Sequence, residues 1–133
     1  MSAAEGSMSE KSILSAGDLD ALAVAKVAAQ AADDKQGSDT LVFPVGEILG
    51  ITEYFVITGA SNRRLVRAIA DQIEETVRDA TGRSPGRTEG HREQQWVLLD
   101  YGDVVVHVFL DEIRQFYEIE RLYKDVPRVE WRD

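Results

Sequence analysis

Apolar positions recur along this chain at two spacings, and the switches between them mark the elements. Over residues 18–35, Ala21, Val24, Ala28 and Ala31 fall on one side of a helix, with Val27 adjoining. Asp18 or Ser15 is placed to cap it. These side chains are small, so the helix can lie close to a sheet. Gln36-Gly37-Ser38 breaks the pattern. Residues 39–45 then read as a strand centred on Leu41, Val42 and Phe43, ending or lying at an edge where Pro44 lacks a donor. Residues 47–50 connect to a second strand, 53–58, whose unbroken apolar run predicts burial on both faces.

The clearest helix spans 62–81. Leu65, Ile69, Ile73 and Val77 recur every fourth residue, and Val66, Ala70 and Ala80 widen the stripe. Gly59-Ala60-Ser61 is the turn before it, Ser61 is a candidate N-cap and Gly82 stands where a terminator belongs. Strand, helix and further strand form a βαβ-type unit, which requires some parallel pairing. Residues 83–95 are polar, with room for a short strand at 87–89. Two strong strands follow, 96–101 and 104–110, joined at Gly102-Asp103 as a tight hairpin. Alternation puts Val104, Val106, Val108 and Leu110 on one face, and Val105, His107 and Phe109 on the other. Asp111 is placed to cap a short helix, and beyond it aromatics stand among charges without a clean period. The order α-β-β-α-β-β-β-α predicts an α/β domain, one mixed sheet with helices packed on it in two or three layers. Residues 1–17, rich in Ser, Ala and Gly, read as a mobile N-terminal tail.

At 133 residues, 44% of them hydrophobic, the chain suits one globular domain with a sufficient core. It has no cysteine, so disulfides, thiolate metal sites and a cysteine nucleophile are excluded. No apolar run approaches the roughly 18 residues of a membrane helix. The N-terminus shows no secretory pattern, and a cytoplasmic protein is expected. The net charge of -9 works against phosphate surfaces, whether membrane or nucleic acid, and favours basic partners.

Catalytic constellations are sparse. Gly59-Ala60-Ser61 precedes a helix N-terminus, where an anion can bind, but lacks the further glycines or lysine of a phosphate loop. Arg63 and Arg64 read as a solvated face. His91 and His107 are the only histidines, and their spacing matches no metal pattern. His107 lies mid-strand near Asp100 across the hairpin, a candidate acid-base pair, with a hydrogen-bonded core histidine as the plainer reading. Asp18-Leu19-Asp20 is a carboxylate pair at a helix start, where acids are favoured anyway. We therefore expect no catalytic residue, metal or cofactor. What stands out is the stretch 96–123, with Trp131 beyond it. Trp96, Tyr101, Phe116, Tyr117 and Tyr123 interleave there with Asp100, Asp103, Asp111, Glu112, Glu118 and Glu120. Aromatic anchors ringed by charge suit a protein interface.

The run Trp96-Val97-Leu98-Leu99-Asp100-Tyr101-Gly102-Asp103-Val104-Val105-Val106-His107-Val108-Phe109 resembles the signature of the iojap family, the ribosomal silencing factors (RsfS). The likeness continues through Arg114, Phe116-Tyr117, Ile119-Glu120 and Leu122-Tyr123, where Tyr123 replaces the usual Trp. Upstream, Thr52-Glu53-Tyr54-Phe55-Val56-Ile57 is similar to the family's Thr-Asp-Tyr-Phe-Val-Ile, 68–75 falls on its central helix and Glu89-Gly90 on its next loop. Ala60-Ser61-Asn62-Arg63 departs from the family turn.

The resemblance covers about 18–127, leaving 128–133 as a C-terminal tail. It implies a mixed five-stranded sheet flanked by helices, nucleotidyltransferase-like without catalytic residues, and often a homodimer. It further implies binding to the large ribosomal subunit through ribosomal protein L-fourteen, blocking the small subunit and lowering translation when nutrients are short. The expected contact area is Trp96, Leu98, Asp100, Tyr101, Asp111, Glu112, Phe116, Tyr117 and Glu120. Two other readings stay open: a large-subunit assembly factor, and an enzyme built on Asp100, His107 and the Ser61 turn.

Overall fold

The structure is a computed structural model that describes residues 16–132. The expected N-terminal tail and the cap at Ser15 lie essentially outside that range. The elements are α1 (Ala16–Asp34), β1 (Ser38–Pro44), α2 (Gly46–Leu49), β2 (Tyr54–Ala60), α3 (Arg63–Thr81), β3 (Arg87–Glu89), β4 (Trp96–Asp100), β5 (Val104–Leu110), α4 (Asp111–Tyr117) and a 3-10 turn (Ile119–Tyr123).

One five-stranded mixed sheet runs β1-β2-β5-β4-β3. β2 and β5 pair in parallel, Tyr54 opposite Val104 through Ala60 opposite Leu110, and the other pairs are antiparallel. The expected parallel component is therefore the central pair, where burial on both faces suits its apolar runs. The tight hairpin is present, closed by Tyr101 N–H donating to the Val104 carbonyl at 2.8 Å.

The long helices cover one face. The alanine-rich side of α1 (Ala21, Ala25, Ala28, Ala29, Ala32) is fully buried with Val24, and its small side chains let α1 nest against both α3 and the sheet. From α3 come Val66, Ile69, Ala70, Ile73 and Val77. The sheet meets them with Val42, Val56, Val97, Leu99, Val104, Val106 and Val108.

The opposite face carries Phe43, Val45, Ile57 and Phe109, with Tyr123 laid over them from the 3-10 turn. This third layer is thin, because α4 has only seven residues. The segment 128–132, expected as a C-terminal tail, is instead docked along β1. Val129 N–H donates to the Val42 carbonyl at 2.9 Å, and the buried Trp131 indole donates to the Thr40 carbonyl at 3.0 Å. β1 is an edge strand, and these bonds occupy groups that would otherwise stay open for pairing.

Two capping expectations are corrected. Asn62, not Ser61, caps α3: its side chain accepts from Leu65 N–H at 2.8 Å while its backbone is extended. At α4 the N-cap is Leu110, without a side-chain cap, because β5 runs through Leu110, whose N–H donates to the Gln95 carbonyl. Asp111 is thus the first helical residue, where its charge suits the helix dipole.

Candidate partner-binding face

The hairpin's alternation places Trp96, His107 and Phe109 on the thinly covered face, where they begin a continuous run of rings. Phe116 and Tyr117 at the end of α4 meet edge-on with centroids 5.0 Å apart, and Tyr117 lies 5.3 Å from Trp96. Trp96 packs on Phe109 at 4.6 Å. His107 meets Phe55 at 4.7 Å, Phe55 meets Tyr123 at 5.6 Å, and Tyr123 meets Phe43 at 5.9 Å. The inner end is buried and the outer end is open. Phe116 is 78% exposed and Tyr117 53%, and Leu122 on the 3-10 turn is 76% exposed.

His107 joins Trp96 to this run. The indole N–H donates to His107 Nδ1 at 3.1 Å. An indole nitrogen only donates, so Nδ1 is an acceptor and the neutral ring carries its proton on Nε2, which is buried without a partner. Burial pushes the imidazole down to about 4, keeping it neutral near pH 7. Its cross-strand neighbour is Leu98, not Asp100. Asp100 instead accepts from Gly102 N–H at 2.8 Å, stabilising the hairpin turn. The acid-base pair considered from sequence is therefore not formed. Ser61, Arg63 and Arg64 lie exposed at the start of α3.

Beside the rings lies a groove of about 520 Å³ lined in part by Asp39, Asp111, Arg114, Glu118, Glu120 and Arg128. Arg114 is its centre and is buried. Its Nε donates to Glu120 Oε2 at 2.9 Å, Nη1 to the Ser38 carbonyl at 2.9 Å and Nη2 to the Asp39 carbonyl at 2.8 Å. The register of β1 shifts between Ser38 and Leu41, with Asp39 at a φ of 45°, and the guanidinium takes up the carbonyls this irregularity turns aside. Asp111 accepts from Ser38 Oγ at 3.1 Å. Gly59 lets these groups close up: a Cβ there would stand 2.8 Å from Ser38 Oγ and 3.2 Å from Arg114 Nη1.

The nine residues expected as contacts separate accordingly. Trp96, Phe116, Tyr117 and the exposed Glu112 share the α4 side of the fold with half-buried Leu98, whose strand alternation puts it on the Trp96 face. Asp111 and Glu120 line the neighbouring groove but also hold internal bonds. Asp100 serves the turn. Tyr101 is a correction: it is buried in the core under α1 and α3, because its place in the hairpin turns it away from the Trp96 face. Arg114 and Leu122 entered the sequence reading only as part of the family likeness, without a role for either. Leu122 lies in a stretch without periodicity, and the partners of Arg114 are distant in sequence.

Asp20, the described half of the paired acids at the helix start, bonds Arg83 at 2.8 Å, and Arg83 also bonds Asp103 and the Tyr101 carbonyl at 2.8 Å each. That network ties α1 to the hairpin. Among the described residues, no helix is long and apolar enough to cross a membrane.

A family model described as "Ribosomal silencing factor during starvation" matches residues 18–133, including the docked C-terminal segment. The chain is 38% identical over 120 residues to the ribosomal silencing factor RsfS of Bacillus subtilis, covering 90% of this chain and 92% of that one. A crystal structure of a Chromobacterium violaceum protein superposes with a TM-score of 0.73 at 31% identity, covering 77% of this chain and 84% of the other. A more distant mouse relative, named for mitochondrial assembly of the ribosomal large subunit, is 30% identical over 64% of this chain and 38% of its own length. With a family match spanning nearly all of the described fold, the chain belongs to the ribosomal silencing factor family.

Proposed function

We propose that this protein binds the large ribosomal subunit through ribosomal protein L-fourteen and, once bound, blocks the small subunit from joining, lowering translation under nutrient limitation. Family membership supports the ribosomal setting. The observation that carries the surface is the open end of the ring run, where Phe116, Tyr117 and Leu122 face solvent on a chain of net charge -9. Large exposed apolar side chains rimmed by charge are what a partner covers. The acidic balance complements a basic ribosomal protein and speeds encounter. The block is steric: a folded domain on the joining face occupies space the other subunit needs. Catalysis is no part of this proposal, and the activity is placed in the cytoplasm, where such ribosomes work. A homodimer in solution belongs to the same proposal, read by sedimentation equilibrium.

Co-sedimentation with purified large subunits tests the surface. Wild type is expected to pellet with them, and Phe116→Ala, Tyr117→Ala to stay in the supernatant while keeping its fold. Undiminished binding by the folded variant overturns the surface. Adding wild type to mixed subunits is expected to lower the joined-ribosome peak. An unchanged peak despite binding overturns the block and favours the second reading, an assembly factor, which the name of the mouse relative supports.

A further inference from the structure

A cluster unrelated to the ring face lies between α3 and the turn preceding β4. Asp71 and Glu74 stand one turn apart on the same side of α3. His91 comes from the turn after β3, and one donor atom from each residue lies within 4.8 Å of the others. The His91 Nε2 to Glu74 Oε2 distance is 3.5 Å. Nothing in the linear spacing announces this set, because its members are brought together only by packing the β3–β4 turn on α3.

The turn is built to hold His91. Gly90 has a φ of 86°, and a Cβ there would collide with the Trp96 carbonyl oxygen. Gln94 N–H donates back to the Gly90 carbonyl at 2.9 Å, closing the turn. His91 and Glu74 are half-buried, while Asp71 is more open and pairs with Arg67 at 3.3 Å. A second polar group lies on the same helix-covered side of the sheet. The Tyr101 hydroxyl is buried and has no hydrogen-bond partner. The Glu74 carboxylate is among the charges that act on this hydroxyl.

We propose that Asp71, Glu74 and His91 form a binding site for a divalent transition-metal ion. Two carboxylates neutralise the ion, and the imidazole nitrogen selects zinc or cobalt over magnesium and calcium. Modest side-chain rotations bring the donors to the roughly 3.4 Å separations that bonds of about 2.1 Å in a tetrahedron require. Water completes the coordination, and a water beside Glu74 gives the Tyr101 hydroxyl its missing partner. Asp71 exchanges its pairing with Arg67 for the ion. The bound metal cross-links α3 to the turn that leads into Trp96.

The test uses the tag-free full chain titrated with Zn²⁺ by calorimetry and with Co²⁺ by visible absorption. Wild type is expected to take up one ion per chain, to show Co²⁺ bands of a mixed nitrogen–oxygen site, and to melt at a higher temperature with metal. His91→Ala is expected to lose more than about a hundredfold in affinity, beyond the usual loss of a supporting residue, together with the bands and the melting shift. Arg67→Gln is expected to bind more tightly, because Asp71 is released. Equal affinity in wild type and His91→Ala overturns the site, as does an absence of saturable binding, or Mg²⁺ binding as tightly as Zn²⁺.

Discussion

Glu120 separates two roles that the sequence could not distinguish. If it is a partner contact, its removal weakens subunit binding and leaves the fold alone. The structure gives it an internal role as the carboxylate of Arg114, whose side chain is only 9% exposed. In Glu120→Ala, Arg114 keeps the Ser38 and Asp39 carbonyls but loses its counter-charge and the partner of Nε. Breaking a fully buried ion pair costs about 3–5 kcal/mol. Glu120 retains 28% exposure, so water can reach the vacated place and the loss is smaller. A hydrogen bond to a charged group is worth about 1.5–3 kcal/mol. Both lines converge on a destabilisation of about 2 kcal/mol, with Glu120→Gln costing about half as much because it keeps an acceptor.

For a chain of this size each kcal/mol moves the melting temperature by roughly 3–5 °C, so Glu120→Ala is expected to melt roughly 6–10 °C lower. Arg114→Ala should fall further, because it also abandons the two carbonyls of the irregular strand. A double-mutant cycle isolates the pair: once Arg114 is absent, removing Glu120 should cost little more. Urea unfolding checks the same numbers. Glu120→Ala melting within about 2 °C of wild type while losing subunit binding refutes the reasoning, and returns Glu120 to the contact surface.

Three further outcomes follow from particular contacts. Asn62→Ala should cost about 1 kcal/mol of stability and Ser61→Ala a few tenths at most, measured by urea unfolding, since Asn62 is the residue bonded to Leu65 N–H. His107 is held at about 4 in the folded protein against an ordinary value of 6.5, so the unfolded chain takes up its proton first as pH falls. Its contribution is complete above about pH 6.5 and is lost on descending toward pH 4, by about 2–3 kcal/mol at pH 4.5. His107→Gln should remove that part of the pH dependence in parallel unfolding curves. Phe116→Ala should leave stability within about 0.5 kcal/mol of wild type, yet cost about 2 kcal/mol or more in subunit binding.

Elements whose cause is local were legible in the sequence. The four-residue recurrence of Leu65, Ile69, Ile73 and Val77 fixes α3, and strict alternation from Val104 to Leu110 sorted side chains onto the correct faces of β5. The βαβ logic required parallel pairing, though not that β3 would cross to the far edge. The candidate face was legible as a density of aromatics, while the division between core and surface within it was not. Tyr101 and Tyr117 look alike in sequence, yet one is packed under the helices and the other is half open. Arg114 is stabilised by carbonyls more than 70 residues upstream, which no local spacing encodes. The docked end of the chain was missed for the same reason: Val129 and Trp131 find partners on β1, and their own neighbourhood shows no period.

The shape of the candidate face follows from how α4 ends. After two turns, Glu118 adopts left-handed backbone angles and its N–H returns to the Arg114 carbonyl. The chain reverses, and the 3-10 turn lays Tyr123 onto Phe43 and Phe55. Phe116 and Tyr117 are thereby left outside the core, Phe116 against Tyr117 and Tyr117 leaning on Trp96, which His107 and Phe109 hold in place. Rings supported in this way lose little freedom when a partner covers them, which suits anchors. The same continuity assigns different meanings to substitutions along the run. At Phe116, the open end, a loss of binding reports on the partner. At Trp96 it reports on the partner and the fold together, because removing the indole also takes away the hydrogen-bond donor of a buried histidine. Only variants at the open end can therefore separate recognition from stability.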